Sequence, residues 1–237
     1  MLILFLGQIM NIKISKEEAD ILFQRQDNRF IIGSYLYGCQ NEYSDKDYLV
    51  FYESFDEKID SILQIRHQFQ YDDEENNIDY IFTTENQFFM NLFSGESTIN
   101  ADLVLFEDST DTNEQRLSLC RSYNIIKAYL GFAKRDLKYN KNGKKYKHIV
   151  RGLYTASCLL TNEMPQLSNI KEISFDKFSK TNQELKLWQD ELRLKCNQMY
   201  EKDELKMYPE AFKKNNLHPL QKKLVDSCNI KEFKYGN

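Results

Sequence analysis

Residues 30–52 read FIIGSYLYGCQNEYSDKDYLVFY, and the order of residue types in this stretch decides the fold of the N-terminal half. Phe30-Ile31-Ile32 is a short apolar strand that stops at Gly33-Ser34. Tyr48 to Tyr52 is a continuous aromatic and β-branched run, expected of a central strand buried on both faces and paired with the first. Gly33 has no Cβ, so the backbone can come close to a ligand there. Ser34 adds a hydroxyl and backbone N–H groups at a helix start, which suits phosphate oxygens. Asp45 and Asp47 are two apart on a strand, so both carboxylates project from one face while Lys46 turns away. Two carboxylates this close repel each other unless a hard cation neutralises them. Mg²⁺ (or Mn²⁺) takes such oxygens together with those of a substrate phosphate.

Working outward, Ser15 followed by Glu18 forms a capping-box signature that predicts a helix over 16–27. On the other side, 57–68 has helical spacing and includes His67, and the acidic run Asp72–Asn77 reads as a solvated turn. A third strand is expected over Ile78–Thr83. If it lies beside the Asp-Lys-Asp strand, Asp79 becomes the third carboxylate, a metal ligand and a base. Helical spacing returns over 85–94, then dominates as 113–138, 145–161, 174–206 and 217–228. The chain therefore divides near residue 110 into an α/β part, 1–110, and a helical part, 111–237. The acidic 107–114 stretch and Pro165 are the linker-like compositions.

Composition bounds the partners. Of 237 residues, 41% are hydrophobic and 29% charged, enough for a core that needs no staples. The formal charge of −4 gives no global attraction to nucleic acid or an anionic membrane, so any polyanion must meet a local patch. Five scattered cysteines without a CxxC pair fit reduced thiols in a cytoplasmic protein. The opening MLILFLGQIM lacks a basic leader and falls far short of the ~20 residues that span a bilayer, so no membrane association is expected. His67 and His218 have no third ligand nearby to suggest zinc. Trp188 with Leu185, Leu187 and Leu192 reads as core.

The patch lies in residues 134–151, KRDLKYNKNGKKYKHIVR, where eight Lys and Arg face a single acid, Asp136. Lys147, His148 and Arg151 share a helical face and are the candidates for holding a triphosphate or an RNA acceptor. The lysines at 138–145 read equally as a solvated loop around Asn142-Gly143.

A DxD pair alone would arise about once by chance in a chain with this much Asp. The joint pattern is far rarer. GSYLYG followed by YSDKDYLVFY resembles the GSxxYG…SDxD signature of nucleotidyltransferases in the DNA polymerase beta superfamily. The likeness extends to TTENQFFMNLFSGESTINADLVLF and to KKYKHIVRGLYTASCLLTNEMP, covering most of residues 30–165. It implies an α+β fold, with a small mixed-sheet catalytic domain carrying Asp45, Asp47 and a third carboxylate on metal, and a helical domain beside the acceptor site. The function expected is transfer of an NMP from an NTP, ATP foremost, to a hydroxyl or phosphate acceptor by a two-metal mechanism. The alternatives are an idle nucleotide-binding or interaction module, and a toxin–antitoxin or defence enzyme acting on tRNA or protein.

Overall fold

A computed structural model describes residues 10–53, 67–95, 97–107, 111–140, 145–175 and 180–209. Five strands, β1 (Met10–Lys13), β2 (Gln26–Ile32), β3 (Lys46–Tyr52), β4 (His67–Asp73) and β5 (Ile78–Thr83), form one mixed sheet in the order β1-β4-β5-β3-β2. The pairs β1·β4 and β3·β5 are parallel, and β2·β3 and β4·β5 are antiparallel. Nine described helices complete an α+β fold: α1 (Lys16–Phe23), α2 (Gly33–Leu36), α3 (Glu85–Ser94), α4 (Thr98–Phe106), α5 (Asn113–Cys120), α6 (Tyr123–Lys138), α7 (Tyr146–Thr161), α8 (Leu167–Phe175) and α9 (Asn182–Glu201).

The sheet is covered unequally. On one face α1 packs Ala19 and Leu22 against Val50, Tyr52, Tyr80 and Phe82. The other face carries Ile32 and Leu49 into a cluster that continues through Ile125, Leu153 and Leu185 of the helices. Alternation along β3 produces this division, since Leu49 faces the helices while Val50 and Tyr52 face α1. On the α1 face Tyr71, Tyr80 and Tyr48 are direct cross-strand partners whose rings stack at 6.2 and 5.7 Å, with Arg29 4.7 Å above the last. Asp72, Asp79 and Asp47 occupy the adjoining register row, and therefore the opposite face.

The capping box forms as expected: Glu18 N–H donates to Ser15 Oγ and Ser15 N–H to Glu18 Oε2. The chain turns extended sooner than predicted, because Gln26–Ile32 pairs with β3 along its whole length. Most of the helix expected over 57–68 lies outside the described residues. Its last two positions, His67 included, open β4 instead. The supposed turn at Asp72–Asn77 begins two residues later, as Asp72 and Asp73 belong to that strand and Lys13 Nζ meets Asp72 Oδ2 at 2.7 Å. Gln68-Phe69-Gln70-Tyr71-Asp72 alternates polar and apolar as a half-buried strand does, a signal masked because the helical spacing of 57–68 runs into it.

Two predicted long helices are each interrupted. In 113–138, Ser122 accepts from Ile125 N–H and starts α6 anew. In 174–206, Thr181 and Glu184 form another capping box that starts α9, with α8 before it. The helix α4 has no amphipathic signal, since it is buried on nearly every side. The segments 1–9 and 217–228 lie outside the described residues. Among the described residues no helix is long and apolar enough to cross a membrane.

Candidate metal and nucleotide site

Parallel pairing of β3 with β5 sets Asp47 opposite Asp79, and Asp45 immediately precedes β3. One oxygen from each of the three carboxylates lies within 4.8 Å of the other two. The loop that presents them is built by Asn41 and Ser44. Asn41 Oδ1 accepts from Tyr43 N–H at 2.9 Å and from Ser44 Oγ at 3.2 Å, while Asn41 N–H donates to Ser44 Oγ at 2.9 Å.

No ion pair among the described residues engages Asp45, Asp47 or Asp79. The consequence is electrostatic. Burial, then Asp45 and Asp79, push the Asp47 carboxyl up to about 6. Asp79 is raised by burial and by Asp72 and Asp45, with Lys13 opposing. A hard, oxygen-seeking divalent cation is the partner that this donor set fits.

Gly33 has φ +64, and a Cβ built there would overlap the Asp47 carboxylate. The space left by the missing Cβ therefore goes to Asp47. The α2 segment that follows is a single turn. Ser34 Oγ is buried without a hydrogen-bond partner, an orphaned hydroxyl on the wall of a cleft of about 470 Å³.

The same cleft is lined on its acidic side by Gly33, Asp45 and Asp47, and on its helical side by Arg135, Asp136, Lys145, Lys147, His148 and Arg151. Asp79 does not line it. Arg151 is held over two rings, its guanidinium carbon 4.1 Å from the Tyr37 centroid and 5.8 Å from that of Phe132. Burial opposes its charge, and the fields of Tyr37 and Asp102 more than restore it. Asp102 is 2% exposed and accepts from Tyr129 Oη at 2.7 Å. Burial raises its pKa against the pull of Arg151 and the Tyr37 and Tyr129 hydroxyls.

His148 sits in the first turn of α7, where a positive charge is disfavoured by the helix dipole. Its ring stacks on Phe132 at 6.1 Å, and its Nδ1 is 3.5 Å from Asp136 Oδ2. Burial, then Arg151 and Lys145, hold its pKa below 6.5, with Asp136 opposing and Arg135 adding to the depression. These surroundings favour the neutral imidazole.

All the residues singled out from the sequence except Asp79 therefore meet in one cleft, and Asp79 joins through Asp47. The other basic residues divide: Lys134 and Lys138 are exposed on α6, Lys145 reaches the cleft, and Lys141 and Lys144 lie outside the described residues. Trp188 packs against the core with Leu185 and Leu192, but Leu187 is 61% exposed, because it falls on the outer face of α9. Sequence reading missed Tyr37, Asp102 and Asp136 as site residues. The available signals were an acid inside an apolar helix and the lone acid in a basic run. Comparison with protein-family models, curated proteins and solved structures yields no match.

Proposed function

We propose that this chain is a metal-dependent nucleotidyltransferase that moves an NMP from an NTP, ATP foremost, to a hydroxyl or phosphate acceptor. The observation that carries the reading is the opposition of Asp45 and Asp47, joined within 4.8 Å by Asp79 behind them, to a cationic wall across the cleft that the first two line. A magnesium triphosphate has that charge layout, with a divalent cation at one end and phosphate oxygens beyond it.

The three carboxylates would hold Mg²⁺ (or Mn²⁺), which when bound supplies charge neutralisation at the phosphates and activation of the acceptor oxygen. The chain does the positioning. Ser34 Oγ, lacking a partner, offers a hydrogen bond to a phosphate oxygen. Arg151, stacked over the Tyr37 ring, offers a planar fork of donors. Lys147 and the N-terminus of α7 add positive potential, and no acidic residue occupies that first turn. Catalysis of this kind rests on geometry and charge, with no covalent intermediate. The described cysteines are free thiols, in keeping with a reducing cytoplasmic setting.

The test is to incubate the pure protein with each α-labelled NTP, Mg²⁺ or Mn²⁺, and RNA, protein or small-molecule acceptors. Label transfer that requires divalent ion and is lost in Asp47→Asn is expected; NTP binding indifferent to both would sink the reading. RNA as the acceptor predicts a steep salt dependence that flattens by up to about two log–log units when Lys145 and Lys147 are neutralised.

A further inference from the structure

Asp136 is a buried acid of the helical wall at 3% exposure, and the transferase reading gives it no role. Its Oδ1 accepts from Arg135 Nε at 3.1 Å. Its Oδ2 is buried with no hydrogen-bond partner, and the nearest group is His148 Nδ1 at 3.5 Å. A buried carboxylate oxygen left without a donor is costly, and a shift of a few tenths of an ångström by the half-exposed His148 would satisfy it. The only proton His148 can offer there is on Nδ1, so satisfying Asp136 fixes the neutral tautomer and strips Nε2 of its proton. The stack on Phe132 fixes the plane of the ring. Both residues line the cleft that Asp45 and Asp47 line.

We propose that Asp136 is a positioning residue that holds His148 as the Nδ1–H tautomer, so that the bare Nε2 takes the proton from the acceptor hydroxyl. The inference rests on the transferase reading of the cleft. In the reaction the acceptor oxygen forms a bond to the α-phosphorus while the bond from that phosphorus to the bridging oxygen breaks. Pyrophosphate departs with that electron pair, and the acceptor proton passes to Nε2, giving an imidazolium whose Nδ1–H faces Asp136. The surrounding charges suit this cycle. Arg135 on α6, and Arg151 and Lys145 on α7 and its cap, disfavour the imidazolium at rest, and Asp136 alone favours it. A proton taken during transfer is therefore released readily afterwards. Asp79, already joined with Asp45 and Asp47, need not serve as base.

The experiment is long-range ¹H–¹⁵N spectroscopy on the full chain labelled at its three histidines, with His148→Gln assigning the signal. At pH 7.5 the parent should show His148 protonated on Nδ1 and bare on Nε2, and Asp136→Asn should abolish that preference. In transfer assays Asp136→Asn and His148→Gln should each lower kcat by about 100-fold with nucleotide KM unchanged. An Nε2–H tautomer in the parent, or a kcat indifferent to His148→Gln, overturns the proposal. A correct tautomer in a protein that binds no magnesium–NTP leaves the pair standing and removes the transferase reading instead. If Asp136→Asn does not fold, His148→Gln, altered at a half-exposed position, decides the kinetic part alone.

Discussion

The two walls of the cleft are assembled on opposite principles. The sheet wall gathers three carboxylates, Asp47 and Asp79 by strand register and Asp45 from the loop before β3. No ion pair among the described residues engages them, and burial, then Asp45 and Asp79, drive Asp47 up to about 6. On the helical wall Arg151 lies over the Tyr37 ring and feels the charge of Asp102, while Asp136 is bonded to Arg135 and borders His148. The first wall is incomplete without a ligand; the second is largely complete in itself. The lesson is that the same cleft sets an uncompensated cluster of acids against a wall whose charges are largely compensated from within.

The sharpest way to break this contrast is Asp47→Asn, which should reduce metal-dependent transfer by about 10³-fold or more, read from label transfer at saturating NTP. Retained activity would show that the register row is not the metal holder. Next in size, Gly33→Val forces a β-branched residue to a positive φ and into the Asp47 carboxylate, and should cost about 3 kcal/mol in denaturant unfolding. A variant of unchanged stability would mean that the two strands can part without penalty. On the opposite wall, Arg151→Lys keeps the charge but loses the planar stack and fork. It should weaken nucleotide affinity about 10-fold by calorimetry with little change in metal affinity. An equal loss of both would couple the walls instead of separating them.

The smallest effect is also the most discriminating. The folded-state pKa of Asp47 is raised, so its native form holds a proton that the unfolded chain releases near pH 4. Metal-free stability should therefore fall as pH rises from about 4 through about 6, and stay lower above that. Asp47→Asn removes that penalty, and after allowance for solvent screening should stabilise the metal-free protein by about 1 kcal/mol at pH 7.5, read from thermal melts. Adding Mn²⁺ should raise the melting temperature of the parent and not of the variant. A variant less stable than the parent without metal would show that the carboxylate is already compensated from within.

How much of each wall could be read from sequence follows from the same difference. The sheet wall is local: Gly33, Asp45 and Asp47 lie within fifteen residues of one another, and strand alternation carries its own geometry. Only the pairing with Asp79 had to be supplied, and β3·β5 supplies it. The helical wall is tertiary. Asp102 approaches Arg151, and Tyr37 and Phe132 enclose it, from segments far apart in the chain, and no spacing rule links them. The strands β1 and β4 were missed for a third reason, since β1 is only four residues long and the alternation of β4 begins inside a stretch read as helix.

The stacked tyrosines under α1 have a consequence for the acids on the other side. On β3 and β5 each tyrosine follows its aspartate by one residue, and on β4 it precedes it, so ring row and acid row are locked half a pleat apart. A strand that mispaired by a single position would turn its carboxylate beneath Phe23 and Leu22 and push a tyrosine into the cleft, losing core and chemistry in one error. Folding thereby inspects the site: a molecule stable enough to persist is one whose acids have already been aligned.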